Sequence, residues 1–353
     1  MKKAKETITM KAPAVAVRLL AGVLALSRAV AWGSEHPVYT LDGYYKSAVT
    51  DAACWLDAEG NRGVAGAALD PNGEYHTRDR RIDFPTGKFH LDVKALHLGE
   101  VGGACAQSYY AGANYNNVFG VRGDGLFLNR GFFGIQWLPF EISDTITVQS
   151  PEGDPFKIYT AYGYPEGHKY FSRMFGTIAA TLKSAAGKEL RLYHSGASSE
   201  TTSSNTTYSI TISGDCSAYF GTLSIGREDE AGGRVTRVLF ANDGLPGTVK
   251  VTKSAILAAG VKGYGIAHLV LSDGATLSSD GGTIAVTSSF VQNGTVRVSL
   301  DGVTLPNVES PEIRVLTVPA GAALDVAGFA LQGTPAGVAT AGRTFEVETN
   351  ADG

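Results

Sequence analysis

Charge is scarce in this sequence. Asp, Glu, Lys and Arg together supply 18 % of its 353 residues, while glycine occurs 44 times and methionine only three. With 44 % hydrophobic residues beside them, that balance excludes a disordered chain, which would lack the valine, isoleucine, leucine and aromatic content present here. A surplus of positive charge is also missing. The formal net charge is −4, and residues 1–31 hold six of the 30 basic and one of the 34 acidic residues, so the remainder carries 24 basic against 33 acidic groups, a net of −9. A chain of that sign has no electrostatic footprint for phosphate backbones or anionic lipid, and nucleic acid is not an expected partner.

Long hydrophobic runs are confined to the amino terminus. There Lys2, Lys3, Lys5 and Lys11 precede an apolar stretch from Ala14 to Leu26, which ends in Ala29, Val30 and Ala31. A basic region, a short apolar region and an A-x-A ending are the parts of a secretory signal peptide, and the run is too short to span a bilayer. Cleavage is expected after Ala31. No later window reaches the roughly 18 uninterrupted apolar residues of a span, so no membrane span is expected in the mature chain. The expected location is outside the cell or on a bacterial cell surface. Cysteine is equally rare: Cys54, Cys105 and Cys216 would sit in an oxidising compartment, where an odd count leaves at least one without an intramolecular partner. A bridge between Cys54 and Cys105 and separate buried thiols both fit the count, and the spacing matches no zinc ligand pattern.

Sustained helical periodicity is absent beyond the signal segment; only Lys253 to Gly263, "KSAILAAGVKG", admits a turn or two of helix. What is present is alternation. "FHLDV" sets Phe89, Leu91 and Val93 against His90 and Asp92, and "TVRVSL" sets Val296, Val298 and Leu300 against Arg297 and Ser299. Similar runs surround Ile146 and Val148, Ile210 and Ile212, Leu223 and Ile225, Val249 and Val251, Ile284 and Val286, and Leu324 and Val326. Glycine follows Asp42, Asn72, Asp124, Asp243, Asp273, Asp280, Asn293 and Asp301. Such pairs often mark tight hairpins, yet the strands they bound are mostly more than two residues apart, so corners that bend the chain onward around a coil fit better.

The second half repeats one phrase unevenly: "GTLSI" at Gly221, "GTVKV" at Gly247, "GTIAV" at Gly282 and "GTVRV" at Gly294, with intervals of 26, 35 and 12 residues. A β-solenoid tolerates uneven rungs, because only the strand cores must stack while corner loops vary. The expected fold is therefore all-β, a right-handed parallel β-helix with irregular rungs and long corner loops; a β-sandwich is the competitor. The expected organisation is a signal peptide over 1–31, an amino-terminal β region with aromatic-rich loops over 32–150, and β-solenoid rungs over 151–353. Ser195 to Ser209 is read as a polar loop between strands.

Three stretches, "HLVLSDGATLSSDGGTIAVTSSFVQNGTVRVSLDG", "PEIRVLTVPAGAALDVAGFALQG" and "AACWLDAEGNRGVAGAALDPNGEYHT" followed by "FPTGKFHLDVKALHLG", resemble the autotransporter-like β-solenoid surface and passenger proteins of verrucomicrobial-type bacteria. The resemblance rests on glycine and aliphatic phrasing over most of the mature chain. It implies a secreted or surface-exposed passenger without assigned chemistry. One departure is that no series of amphipathic strands is long enough for a translocating outer-membrane barrel, so self-transport is not expected.

Catalytic signatures are missing. No G-x-S-x-G elbow, phosphate loop, dinucleotide fingerprint or H-E-x-x-H pair occurs among the seven histidines, and no cofactor or metal is expected. If one strand ran from His90 to His97, its parity would put them on opposite faces, against shared ligation. The densest ionisable cluster is "HTRDRRIDF", from which Asp79, Arg81 and Asp83 could serve a polysaccharide-cleaving β-helix, although a solvated corner accounts for the same charges. Arg122, Gly123 and Asp124 spell the tripeptide that integrins recognise, and Asn205 and Asn293 head glycosylation sequons. The stronger lead is aromatic. Tyr109, Tyr110, Tyr115 and Trp137, in loops rich in glycine and asparagine together with Phe119, Phe132 and Phe133, could stack on sugar faces, while core filling explains buried members of the set. The expected function is an exported structural or adhesive surface passenger with no catalytic activity, meeting glycans or other cell-surface components. A carbohydrate-binding or polysaccharide-cleaving β-helix is the second reading.

Overall fold

The structure is a computed structural model that describes residues 36–43, 49–84, 87–100, 104–108, 117–136, 140–161, 175–194, 206–227, 234–300 and 314–333. Val38 to Gly353 forms one compact unit, and of the preceding segment Met1–Pro37 only His36 and Pro37 are described, so the signal peptide lies outside the described residues.

Three sheets hold every described strand, and the chain visits them in rotation. Arg81–Phe84 begins the second sheet, Lys88–Leu91 begins the third, and Ala95–Leu98 returns to the first, where it lies beside Glu74–His76. The cycle recurs through Ala104–Ser108, Asn117–Val121 and Gly125–Leu128, and continues as far as Ala218–Tyr219. Strands therefore pair in parallel with the strand one coil away. Among the described strands only Val38–Leu41 and Trp55–Leu56, at the amino-terminal edge, pair antiparallel. A sandwich requires antiparallel neighbours throughout, so the parallel β-helix is the fold and the sandwich is excluded.

Alternation within strands fixes which side chains enter the coil. In the first sheet Tyr75, Leu96, Leu126, Ile146 and Leu182 stand in register on successive coils, each at most 2 % exposed. In the second sheet Phe133, Ile158, Leu192, Ile225 and Val251 do the same. Stacked apolar ladders from three sides make one continuous interior, which no coil could bury alone. At the amino-terminal edge the interior is covered by Trp55, 1 % exposed, whose Nε1 donates to the Val49 carbonyl at 3.1 Å and whose ring meets Tyr75 edge-on at 4.9 Å.

The sequence period is hidden because insertions at the corners vary its length, most of them at one corner. His76 lies beside His97 and Leu269 lies one coil from Phe290, both 21 residues apart, whereas Ile146 and Leu182 are 36 apart. Residues 109–116, 137–139, 162–174, 195–205 and 228–233 all fall between a strand of the second sheet and the next strand of the third. Several other corners turn on a glycine. Gly43, Gly125, Gly244, Gly274, Gly281 and Gly294, each preceded by Asp or Asn, have positive φ. Gly73 is not among them; a Cβ there would lie 2.7 Å from the Tyr39 ring and 2.9 Å from the Tyr75 ring.

The first sheet ends at Ala218–Tyr219. Beyond it, long strands at Gly244–Val251, Tyr264–Leu271 and Ile284–Gln292 bend where their register shifts, between Leu245 and Thr248 and between Ile266 and His268. The leading half of Gly244–Val251 packs beside Ala218–Tyr219, so the corner between the first and second sheets has become a bend within one strand. Two short expectations are corrected here. "KSAILAAGVKG" contains no helix: Ala255–Ala259 is a strand, with Leu257 in register between Val238 and Leu277. Its apolar run is too short for periodicity to decide, and stacking decides instead. The run around Leu324 and Val326 is not a strand either; Val326–Gly328 forms a 3-10 turn before Phe329–Gln332.

Candidate functional site

Outward positions follow from the same alternation, so a surface feature on a β-helix is a ladder of side chains one coil apart. The second sheet carries an aromatic one. Phe132, Tyr159 and Tyr193 project from Gly131–Gln136, Phe156–Ala161 and Glu189–His194, with ring centroids 5.1 Å apart for the first pair and 5.5 Å for the second. All three are partly exposed. Tyr159 stands in register with Gly134 and Tyr193, and a Cβ at Gly134 would lie 3.0 Å from the Tyr159 hydroxyl. The glycine thus leaves room for the phenol to lie against the preceding coil. Arg227 places its guanidinium 5.4 Å from the Tyr193 ring centre, and Arg191 donates to Glu189 at 3.0 Å on the same face. Stacked rings with a cation at one end offer apolar faces and hydrogen-bonding edges together.

The sequence candidates Tyr109, Tyr110, Tyr115 and Trp137 lie outside the described residues; their positions fall in two of the segments that leave the second sheet, adjacent in sequence to its strands. Tyr159 and Tyr193 were missed because in sequence each is a single tyrosine within an ordinary alternating strand. Only coil-to-coil register brings them together. Phe119 and Phe133, by contrast, are interior residues.

The Asp79 cluster does not gather into a groove among the described side chains. Asp79 pairs with its neighbour Arg80 at 3.5 Å, both well exposed, while Arg81 opens a strand of the second sheet, and the side chain of Asp83 lies outside the described set. Other outward charges are also paired singly: Arg122 with Asp92 at 3.8 Å, Arg130 with Asp154 at 3.9 Å, Arg237 with Asp280 at 3.3 Å and Lys262 with Asp243 at 2.5 Å. In the Arg122–Gly123–Asp124 tripeptide, Asp124 is held by Lys94 at 2.5 Å. Ser143, His90 and Asp144 meet over Gly120, and His90 Nδ1 lies 3.0 Å from Asp144, yet the Ser143 hydroxyl donates to the Phe119 carbonyl at 3.4 Å, so the trio lacks a nucleophile-to-base hydrogen bond.

Cys54 and Cys216 are buried free thiols, and the Cys105 side chain lies outside the described set. Burial pushes the Cys216 thiol up to about 11, opposed by Asn242, whose amide lies 3.2 Å from the sulfur. It is an inert core group at neutral pH. Cys216 also borders an open groove of about 690 Å³ where the first sheet ends, lined by Asp215, Asn242, Asp243, Lys262 and Thr287 among others.

His90 and His97 belong to different sheets, the third and the first, so their parity within one strand does not arise. His97 instead stacks on His76, with centroids 4.3 Å apart and planes 3° apart, and on Phe127 at 4.4 Å. Burial in this stack, with His76 and Lys94 nearby and against the pull of Asp124, pushes the His97 imidazole down to about 3.

Comparison with protein-family models, curated proteins and solved structures finds no match. The fold and the surface ladders alone define the class: a parallel β-helix that presents an aromatic row on one outer face.

Proposed function

We propose that the chain is an exported, non-catalytic β-helix passenger that serves as a structural or adhesive surface element. The observation that carries this reading is that the outward charges around Arg122, Arg130, Arg237 and Lys262 form separate pairs along the coil, the group around His76 and His97 being the exception. Catalysis on such a surface needs acids and bases converging on one reacting atom, whereas isolated exposed pairs contribute about 0 to 1 kcal/mol each to stability and leave no activated group. Export should remove Met1 to Ala31, so intact-mass measurement of material secreted by a bacterial host should place the amino terminus at Trp32. A secreted species that retains the leader sinks the export reading.

The row Phe132, Tyr159 and Tyr193 favours a second, more specific reading: adhesion through carbohydrate, with sugar faces laid on the second sheet. A glycan array combined with a polysaccharide-cleavage screen tests both readings. We expect binding without cleavage. Tyr159→Ala and Tyr193→Ala should each weaken that binding about tenfold, the equivalent of roughly 1.4 kcal/mol per ring. Asp79→Ala combined with Arg81→Ala should change it less than about threefold, as for solvated charges. Cleavage that disappears in the Asp79/Arg81 double variant would instead establish an enzyme.

A further inference from the structure

The outward ladder of the first sheet differs from the others in holding metal-ligand chemistry. Glu74 and His76 are two apart on Glu74–His76 and therefore share its outer face, and His97 stands in register with His76 on the next coil. One donor atom from each of the three lies within 4.8 Å of the other two. Around them the polar accounting is incomplete. Glu100 Oε1 sits 2.7 Å from His76 Nδ1 without a hydrogen bond between them, and its second oxygen accepts from the Arg78 backbone N–H at 2.9 Å. His76 Nε2 and Glu100 Oε1 are both buried and have no hydrogen-bond partner. An acceptor sealed from water without a donor is costly, and such groups are commonly explained by a ligand. A carboxylate beside a ligating histidine commonly orients its ring for the metal.

We propose that Glu74, His76 and His97 form a site for a divalent cation of the zinc class, with water completing its coordination. Two imidazoles and one carboxylate suit a borderline cation and leave an open position. Lys94 is shared, paired with Asp124 at 2.5 Å and with Glu74 at 3.7 Å, so capture of a cation would displace it from Glu74 onto Asp124. The two rings are parallel, and an imidazole lone pair lies in its own ring plane. Capture at nitrogen-to-metal distances of about 2.0 to 2.1 Å therefore requires one ring to turn out of the stack. Bound, the cation would tie the Glu74–His76 coil to the Ala95–Leu98 coil across an interval of 21 residues, replacing a stacking contact by coordination.

Titration of the full chain with Co²⁺, followed by visible absorption, and with Zn²⁺, followed by calorimetry, tests the site. The expected result is one equivalent bound, with slower amide hydrogen exchange in Glu74–His76 and Ala95–Leu98 on metal addition. His97→Phe keeps an aromatic ring between His76 and Phe127 and should still weaken binding more than tenfold, as should Glu74→Gln combined with His76→Phe. Glu100→Gln, which leaves all three ligands in place, should weaken it about tenfold. The absence of saturable binding, binding unchanged in the His97→Phe and Glu74/His76 variants, or a thiolate-to-cobalt band from cysteine would each overturn the proposal. The exchange measurement on the unaltered chain decides the case even where a variant folds poorly.

Discussion

Val249→Asp should melt the carboxy-terminal coils of the protein, while Arg297→Asp should leave them intact. Val249 is fully buried in the second sheet, in register with Leu223 on one coil and Leu269 on the next. Removing it forfeits about 1.5 to 3 kcal/mol of apolar burial, and an unpaired carboxylate in its place adds a desolvation cost of several kcal/mol more. That rivals the roughly 5 to 15 kcal/mol that holds a whole domain together. In a solenoid the loss is local first, because each coil is stabilised only by its neighbours. Limited proteolysis should accordingly open the chain near Val249 before the coils around Leu126 and Ile146. Arg297 points outward from Val296–Ser299 and is exposed, so its replacement should shift stability by about half a kcal/mol or less. Equal melting temperatures for the two variants would contradict the interior described above.

Much of this fold is legible because alternation reports burial directly. In "GTVRVSL", Val296, Val298 and Leu300 are buried while Thr295 and Arg297 are exposed, as the pattern requires. The repeated phrase is legible only in part. "GTLSI" and "GTVKV" stack residue for residue, Thr222 on Thr248 through Ile225 on Val251. "GTIAV", however, occupies the leading half of Ile284–Gln292, and "GTVRV" leads into a strand of the third sheet. The phrase encodes a corner followed by a strand, and does not say which face the strand joins. That choice is made by the length of chain between corners, which the insertions at the corners conceal.

The candidate sites were less legible than the core for a related reason. Interior ladders need only an apolar residue at each inward position, so any alternating strand reveals its contribution. An outward ladder such as Phe132, Tyr159 and Tyr193, or His76 and His97, depends on which residue of one coil lies opposite which of the next. His76 and His97 are separated by the corner charges from Arg78 to Asp83, and nothing in the linear sequence links them. Knowledge of the coil length is what would have paired them.

Gly244→Ala should be the most damaging single-methyl change available at a corner. Gly244 has φ +99 and stands in register with Gly265, where an added Cβ would fall well inside contact distance of the Gly265 carbonyl oxygen. Two costs therefore add: about 1 to 2 kcal/mol for an L-residue held at positive φ, and about 1 to 3 kcal/mol for forcing two backbones apart. Gly187 provides the control, since it also has positive φ, +77, but a Cβ there meets nothing within 4 Å. Gly187→Ala should show only the first cost. The position of Gly244 enlarges the consequence, because it opens the long strand that takes over beside Ala218–Tyr219 where the first sheet ends, and every later coil stacks on that strand. Urea melts should place Gly244→Ala about 2 to 5 kcal/mol below the parent protein, with protease sensitivity beginning in the coils after Tyr219. If both alanine variants lose the same stability, the backbones at Gly244 and Gly265 do not approach as closely as the register places them, and the bend that replaces the first sheet must be built differently.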